Sequence, residues 1–206
     1  MKKKSMLNLL CLCAVLGLLS ACGSKIGQTG TSSSSKETTT EQTSATSTDS
    51  SDEVLDLSQS QQIGDEQYGY VYVPKDWVAF HDLDGGETYQ YSDLAGYNIV
   101  TLFSYSKEDL QVEAIDDKAV EKAANSYAYM MEEQGIFENV TGAMTEVVGY
   151  RAYQIYGITK SDGKILCAWV FRTEKSDKVY LVSLEGDTET FYKVLPFIEG
   201  TWSETK

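Results

Sequence analysis

Histidine is almost absent from this chain, which has a single one, His81, in 206 residues. Zinc sites built on several histidines, and any Ser-His-Asp arrangement, would have to use that one residue. The sequence also lacks a Gly-x-Ser-x-Gly elbow, a phosphate-binding loop and a dinucleotide fingerprint. These absences favour a protein without catalytic activity, and no cofactor is expected.

Cysteine is scarce as well. Cys11 and Cys13 lie in an apolar run near the start, Cys22 follows that run, and the remaining sequence has only Cys167. Cys167 falls in a strand pattern on the same side as Trp169, where a free cysteine behaves as a small apolar residue. We therefore expect Cys167 to pack in the core and not to act as a nucleophile.

Positive charge is in short supply. The chain has 17 Lys and Arg against 31 Asp and Glu, which gives a formal net charge of −14 at pH 7. Such a surplus repels nucleic acid and anionic polymers, so no nucleic-acid partner is expected. The acidic side chains either keep an exported domain soluble or form an acidic binding face.

The only long apolar run, residues 6–19, is too short and too early for a stable membrane span. It follows Lys2, Lys3 and Lys4 and ends in Leu19-Ser20-Ala21-Cys22, which resembles the lipobox of bacterial lipoproteins. The resemblance implies that residues 1–21 are a signal peptide, that Cys22 is acylated, and that a lipid anchors the chain to the extracytoplasmic face of the cell membrane. An uncleaved signal anchor is the alternative.

A polar tract follows the lipobox, and a globular part follows the tract. Residues 22–53 are mostly Ser, Thr, Gly, Gln and Glu and cannot bury enough apolar area to fold, so we expect a disordered tether. Residues 54–206 have the size of a single domain. With Cys22 lipidated and the leader removed, this domain has no disulfide to rely on and must be stabilised by its own core.

The pattern of the globular part predicts an α+β fold. Alternation predicts strands at residues 68–73, 77–81, 88–91, 98–105, 139–148, 151–159, 165–173 and 179–185. Spacing and end residues predict helices at residues 117–134 and 188–199, with Pro196 kinking or shortening the second. Because the last strands are apolar on both sides, we expect a three-layer α-β-α sandwich around a mainly antiparallel sheet.

Part of this pattern resembles PsbP-like domains. Val71, Val73, Pro74 and Trp77 match the opening of that family, and Ile198-x-x-x-Trp202 matches its closing helix. The family includes the photosystem II extrinsic subunit, a Ran-binding nuclear transport factor and many bacterial lipoproteins. The resemblance spans residues 67–203 and implies an α-β-α sandwich with a binding or assembly role and no catalysis.

Two segments of the domain are candidate sites. Asp82, Asp84 and Glu87 lie on a glycine-containing turn and have the oxygen ligands that Ca²⁺ prefers, although an acidic hairpin turn also explains them. A second candidate is a platform of tyrosine rings for a sugar or a peptide, although tyrosine is also simply a good strand residue. Its members would be Tyr68, Tyr70 and Tyr72, with Tyr89 and Tyr91.

These features favour a membrane-anchored binding or assembly domain for an envelope partner, most simply a protein. Two alternatives stay open at this point. One is an envelope glycan hydrolase, which would need two carboxylates facing each other, one with a raised pKa. The other is a capture protein for a small ligand or Ca²⁺.

Overall fold

The computed structural model describes residues 56–80 and 88–206. A 3₁₀ turn at Leu57–Gln59 precedes the first strand. The described strands are β1 Ser60–Asp65, β2 Gly69–Pro74, β3 Val78–Phe80, β4 Tyr89–Ser92, β5 Ile99–Tyr105, β6 Thr141–Val147, β7 Tyr150–Ile158, β8 Ile165–Phe171 and β9 Val179–Gly186. The described helices are α1 Lys107–Leu110, α2 Asp117–Gln134 and α3 Thr188–Thr201.

Seven of these strands form one antiparallel sheet in the order β3-β4-β5-β9-β8-β7-β6. The Asp162-Gly163 turn joins β7 to β8, and Gly163 has a φ of 70°, the left-handed conformation that this turn needs. The antiparallel hairpin predicted at this position is confirmed. The strand at the far end from β3 is β6, and among the described strands only β7 pairs with it.

Each face of the sheet packs on its own helix, which confirms the three-layer α+β architecture. On one side, which we call the α3 face, Trp169, Phe171 and Tyr180 pack in a cluster with residues of α3. On the opposite side, the α2 face, Val170 and Leu181 pack in a second cluster with residues of α2. Alternate residues of β8 and β9 thus place apolar side chains on both faces of the sheet.

Helix α2 has the bounds that the sequence predicts, because both ends carry specific cap residues. The Asp116 side chain accepts a hydrogen bond from the Ala119 backbone N–H at 3.0 Å, and Gly135 ends the helix with a φ of 65°. Helix α3 continues past Pro196 to Thr201, two residues beyond the predicted end. No helix in residues 56–80 and 88–206 is long and apolar enough to cross a membrane.

The first hairpin differs from expectation. The predicted strand at residues 68–73 corresponds to β2, but β2 pairs with β1 in a separate two-stranded sheet. Strand β1 escaped prediction because Ile63 is its only apolar side chain. Residue 203 closes the other side of β2, since Tyr70 and Ser203 exchange backbone hydrogen bonds of 2.7 and 2.8 Å. The hairpin and α3 therefore cover the α3 face together.

Candidate functional site

Several predicted site residues lie outside the described part of the chain. Cys22 belongs to residues 1–55, and Asp82, Asp84 and Glu87 belong to residues 81–87, so lipidation and Ca²⁺ binding stay predictions. Within residues 56–80 and 88–206, no group of three or more His, Cys, Asp or Glu side chains is placed to hold a metal ion.

The tyrosines proposed as a platform lie in different environments. Tyr68 and Tyr70 are buried, and Tyr68 packs in the same core cluster as Val71. Tyr72 is only half-buried. The three rings therefore do not form one exposed surface.

Strand β4 supplies the other pair of predicted tyrosines. Tyr89 and Tyr91 are half-buried and stack with their ring centroids 5.7 Å apart. The nearest contact to the first three is between Tyr68 and Tyr89, whose centroids are 6.3 Å apart. Both β4 rings also pack against the core of the α3 face, which leaves each of them one partly exposed side.

Cys167 is buried, as the strand pattern predicts. Burial raises the pKa of its thiol, and the nearby charge of Glu199 raises it further. A thiol with a raised pKa stays protonated at neutral pH and is a poor nucleophile. This agrees with a packing role on the α3 face.

Glu199 is the one carboxyl with a raised pKa among the described residues. Its Oε1 accepts hydrogen bonds from Trp169 Nε1 at 2.9 Å and from Gln154 Nε2 at 3.4 Å. Burial raises the pKa, the Trp169 bond lowers it, and no second carboxyl contributes to the shift. A glycan hydrolase needs a facing pair of carboxyls, so Glu199 by itself supplies only half of that arrangement.

The two edge strands of the large sheet differ in length. Strand β3 has three residues, whereas β6 has seven, and Thr141 to Met144 are all exposed. No described strand pairs with the outer side of β6. A long, open edge offers a row of backbone N–H and C=O groups to another extended chain.

The turn after β6 decides which backbone groups point outward. Val147 pairs with Tyr150 across the two-residue turn Val148-Gly149, and such a turn is closed by a hydrogen-bonded pair. Pairs then alternate along the ladder, so the residues at positions 142, 144 and 146 direct their N–H and C=O away from β7. We call this outer side, with the backbone groups of Gly142, Met144 and Glu146, the β6 edge.

The β6 edge carries apolar side chains and little charge. Met144 is 44 % exposed, and Val148, at the turn, is 40 % exposed. Ile136, in the connection that leads from α2 towards β6, is 50 % exposed. Glu146 is the only charged residue of β6. Lysines and other charges normally protect long edges from pairing, and β6 has only Glu146 for that purpose.

Val148 also has an unusual backbone conformation. Its φ is 45° and that of Gly149 is 80°, as a type I′ hairpin turn requires. Asn or Asp usually occupies the first of these positions, and a β-branched residue there is strained. The Val148 N–H donates to the Glu199 carbonyl at 2.8 Å, so α3 helps to hold the turn.

Sequence reasoning predicted a strand at residues 139–148 but did not identify it as an edge. The signal was present in weak form. This strand lacks the alternation of apolar side chains that β8 and β9 show, since it contains Thr141, Gly142, Ala143 and Thr145. A strand that is covered by few other residues is expected to lack that alternation. Only the order of the strands in the sheet shows that this strand lies at an edge.

Comparisons with known proteins find similar folds at low sequence identity. Cyanobacterial PsbP (CyanoP) from Synechocystis sp. PCC 6803 has a TM-score of 0.47 and 14% identity over 70% of this chain and 90% of that chain. The Ran-binding protein Mog1p of Saccharomyces cerevisiae has a TM-score of 0.41 and 11% identity over 68% of this chain and 84% of that one.

A third similar structure is LpqN of Mycobacterium tuberculosis, a protein involved in cell envelope biogenesis. Its TM-score is 0.37, with 14% identity over 68% of this chain and 87% of that chain. No protein-family model and no curated protein matches the sequence. PsbP-like structures are thus among those that this chain resembles, but similarities this weak say nothing about its ligand or partner.

Proposed function

We propose that this chain is a lipid-anchored protein of the extracytoplasmic face of the bacterial cell membrane, whose globular domain binds a protein partner without catalysis. Residues 1–21 act as the signal peptide, Cys22 carries the lipid, residues 22–53 form the tether, and residues 54–206 form the binding domain. A flexible tether of about thirty residues spans roughly 30 Å, which holds the domain clear of the membrane surface.

The observation that carries the binding function is the β6 edge. Its free backbone groups provide main-chain hydrogen bonds for an added strand, and Met144 provides an apolar contact for alternate side chains of that strand. The net charge of −14 opposes polyanions as partners and favours a neutral or basic segment. The partner that fits is an extended segment of an envelope protein.

Photo-crosslinking of the full-length chain in intact envelopes tests the binding function. A photoreactive amino acid at Val148 borders the β6 edge, whereas one at Leu94 is 83 % exposed in the β4–β5 connection, near the other side of the sheet. We expect one discrete protein adduct from position 148 and none from position 94. Absence of any adduct at position 148 would contradict the proposal.

A pair of second-site variants shows whether strand addition is the binding mode. Met144→Pro removes an outward N–H without touching the bonds to β7, and Met144→Ala removes the side chain but keeps that N–H. We expect the adduct to disappear with proline and to persist, weakened, with alanine. An adduct that survives the proline variant would show that the partner binds by another route.

The anchor is tested separately from the binding domain. We expect Cys22→Ser to leave the leader uncleaved and to abolish incorporation of labelled palmitate. If palmitate incorporation continues in Cys22→Ser, the lipidation site is wrong. Unchanged cleavage would indicate an ordinary signal peptide, and a wild-type chain that is neither labelled nor cleaved would indicate the uncleaved signal anchor.

A further inference from the structure

The sequence contains only two arginines, Arg151 and Arg172, and both line the same cavity. The cavity has a volume of about 190 Å³ and lies beside the first turn of α2. Arg151 comes from the start of β7, and Arg172 directly follows β8. We call this space the arginine cavity. Its other lining residues include Asp117, Tyr150, Tyr153 and Glu174.

The two guanidinium groups have different surroundings. Arg172 Nε and Nη2 donate to Asp117 Oδ1 at 3.1 and 3.0 Å, and Nη1 donates to the Thr173 carbonyl at 3.2 Å. These bonds fix the Arg172 side chain. Arg151 is exposed and forms no ion pair with a described carboxylate, although Glu146 lies opposite it in the ladder.

We infer that the arginine cavity binds a small oxyanion, that is, a carboxylate or phosphate group. The planar fork of Arg151 is available for two parallel hydrogen bonds to such a group. Asp117, the first residue of α2, holds the Arg172 guanidinium at the cavity through its ion pair. Tyr153, which packs against the cluster of the α2 face, supplies ring surface for the rest of the ligand.

The charge of the chain limits the size of this anion. A polyanion would be repelled by the net charge of −14. A single anionic group at the cavity is little affected by charges more than about 8–10 Å away, because salt screens them. Of the two carboxylates in the lining, Asp117 is already paired with Arg172, and Glu174 is exposed. The inference does not depend on the β6 edge or on the lipid anchor.

Selective labelling gives a direct readout, because two arginines give only two side-chain Nε–H signals. The full-length chain, labelled with ¹⁵N-arginine and purified in detergent, is titrated with sodium phosphate and with sodium acetate. Sodium chloride at matched ionic strength is the reference. We expect both signals to shift and to saturate at one common dissociation constant for at least one probe. Shifts that saturate with none of phosphate, acetate and the phospholipid phosphatidylglycerol, or that chloride reproduces, would overturn the inference.

Variants separate the site from general charge effects. We expect Arg151→Gln to weaken the titration seen at Arg172 about tenfold or more, because a charged hydrogen-bond donor is lost. The dissociation constant of Arg151→Lys should lie between those of the wild type and Arg151→Gln, because lysine keeps the positive charge but lacks the planar guanidinium. Lys175→Gln makes the same charge change at an exposed residue outside the cavity lining and should change nothing. Equal losses in Arg151→Gln and Lys175→Gln would also overturn the inference.

The same spectra identify the source of the anion. Phosphatidylglycerol is added to the detergent micelles in place of phosphate. Saturation by the lipid and not by free phosphate would assign the site to a headgroup. Saturation by free phosphate or acetate alone would assign it to a soluble ligand.

Discussion

The two faces of the large sheet are covered in different ways. On the α3 face, three separate parts of the chain meet: the β1–β2 hairpin, α3, and residues 202–204. Large rings close the space between them, with Trp202 against Phe171 at 4.8 Å and against Tyr180 at 4.7 Å between centroids.

The α2 face is covered mainly by one local helix. Ala119, Ala123 and Ala124 are fully or almost fully buried there, because small side chains let α2 approach the sheet closely. The α3 face is therefore closed by parts distant in sequence, whereas the α2 face is capped by one helix whose border leaves β6 and the arginine cavity open. Stability should depend most on the first face. The arginine cavity lies beside the second face, whereas the turn that ends the β6 edge contacts α3.

The largest expected effect tests this comparison at Trp202. Trp202→Ala empties the ring cluster of the α3 face and should lower the free energy of unfolding by about 3–5 kcal/mol, measured by urea denaturation. Trp202→Phe is the matched variant. It keeps a ring and removes the indole N–H, which is buried and has no partner among the described residues, so it should cost less than half as much. A loss below about 1 kcal/mol for Trp202→Ala would refute the special role of the α3 face.

The next effect tests how tightly the hairpin is held. A Cβ on Gly69 would lie 2.6 Å from the Trp202 ring, and Gly69 has a φ of 80°. Gly69→Ala should cost about 2–4 kcal/mol from the clash and the backbone strain together. Gly135→Ala has a similar φ of 65° in open space and should cost only about 1 kcal/mol. Equal losses would mean that contact with Trp202 does not matter.

On the α2 face, we expect a smaller loss of stability from a substitution at Gly157 than from the one at Gly69. A Cβ there would lie 2.8 Å from Met131 Cε and 3.0 Å from the Phe137 ring, and the flexible end of Met131 can move aside in part. Gly157→Ala should therefore lower the unfolding free energy by about 1–2 kcal/mol. Gly142→Ala, in the exposed part of β6, should leave it unchanged or raise it slightly. A larger loss for Gly142 would show that β6 is covered after all.

The smallest effect concerns pH and Glu199. Because burial raises the Glu199 pKa, folding favours its protonated form. That contribution is complete below the ordinary carboxyl pKa and is lost as pH rises through the folded value. Glu199→Gln keeps the acceptor for Trp169 and removes the charge. It should be more stable than wild type at pH 7, by less than about 1 kcal/mol given the half-exposed position, and the difference should vanish near pH 4.

A matched change elsewhere guards against a general charge effect. Glu133→Gln alters the charge of the chain equally on an exposed position of α2. It should leave the pH dependence of thermal unfolding unchanged. If it reproduces the Glu199→Gln profile, the stabilisation comes from net charge and not from burial at the α3 face.

The sequence predicted those features that local pattern determines. Asp116 and Gly135 mark the ends of α2, and Asp162-Gly163 marks the turn between β7 and β8. Strands β8 and β9 predict a sheet that is covered on both faces, because they alternate apolar side chains in both directions.

Features that depend on distant parts of the chain were not predictable. Nothing local shows that β2 leaves the large sheet to pair with β1, or that β6 ends up at an edge. The meeting of Arg151 and Arg172 also depends on the register of β7 against β8, which no short stretch of sequence contains. Both proposed binding sites belong to this second group.

The contact of β2 with the end of α3 also determines when the β1–β2 hairpin can pack during synthesis of the chain. The Tyr72 N–H donates to Thr201 Oγ1 across 129 residues, close to the paired Tyr70 and Ser203. While the chain is being synthesised, β1 and β2 emerge long before the residues that cover Val71 and Val73. The hairpin alone buries too little to be stable. The β1–β2 hairpin therefore reaches its final packing only after residue 203 has been made.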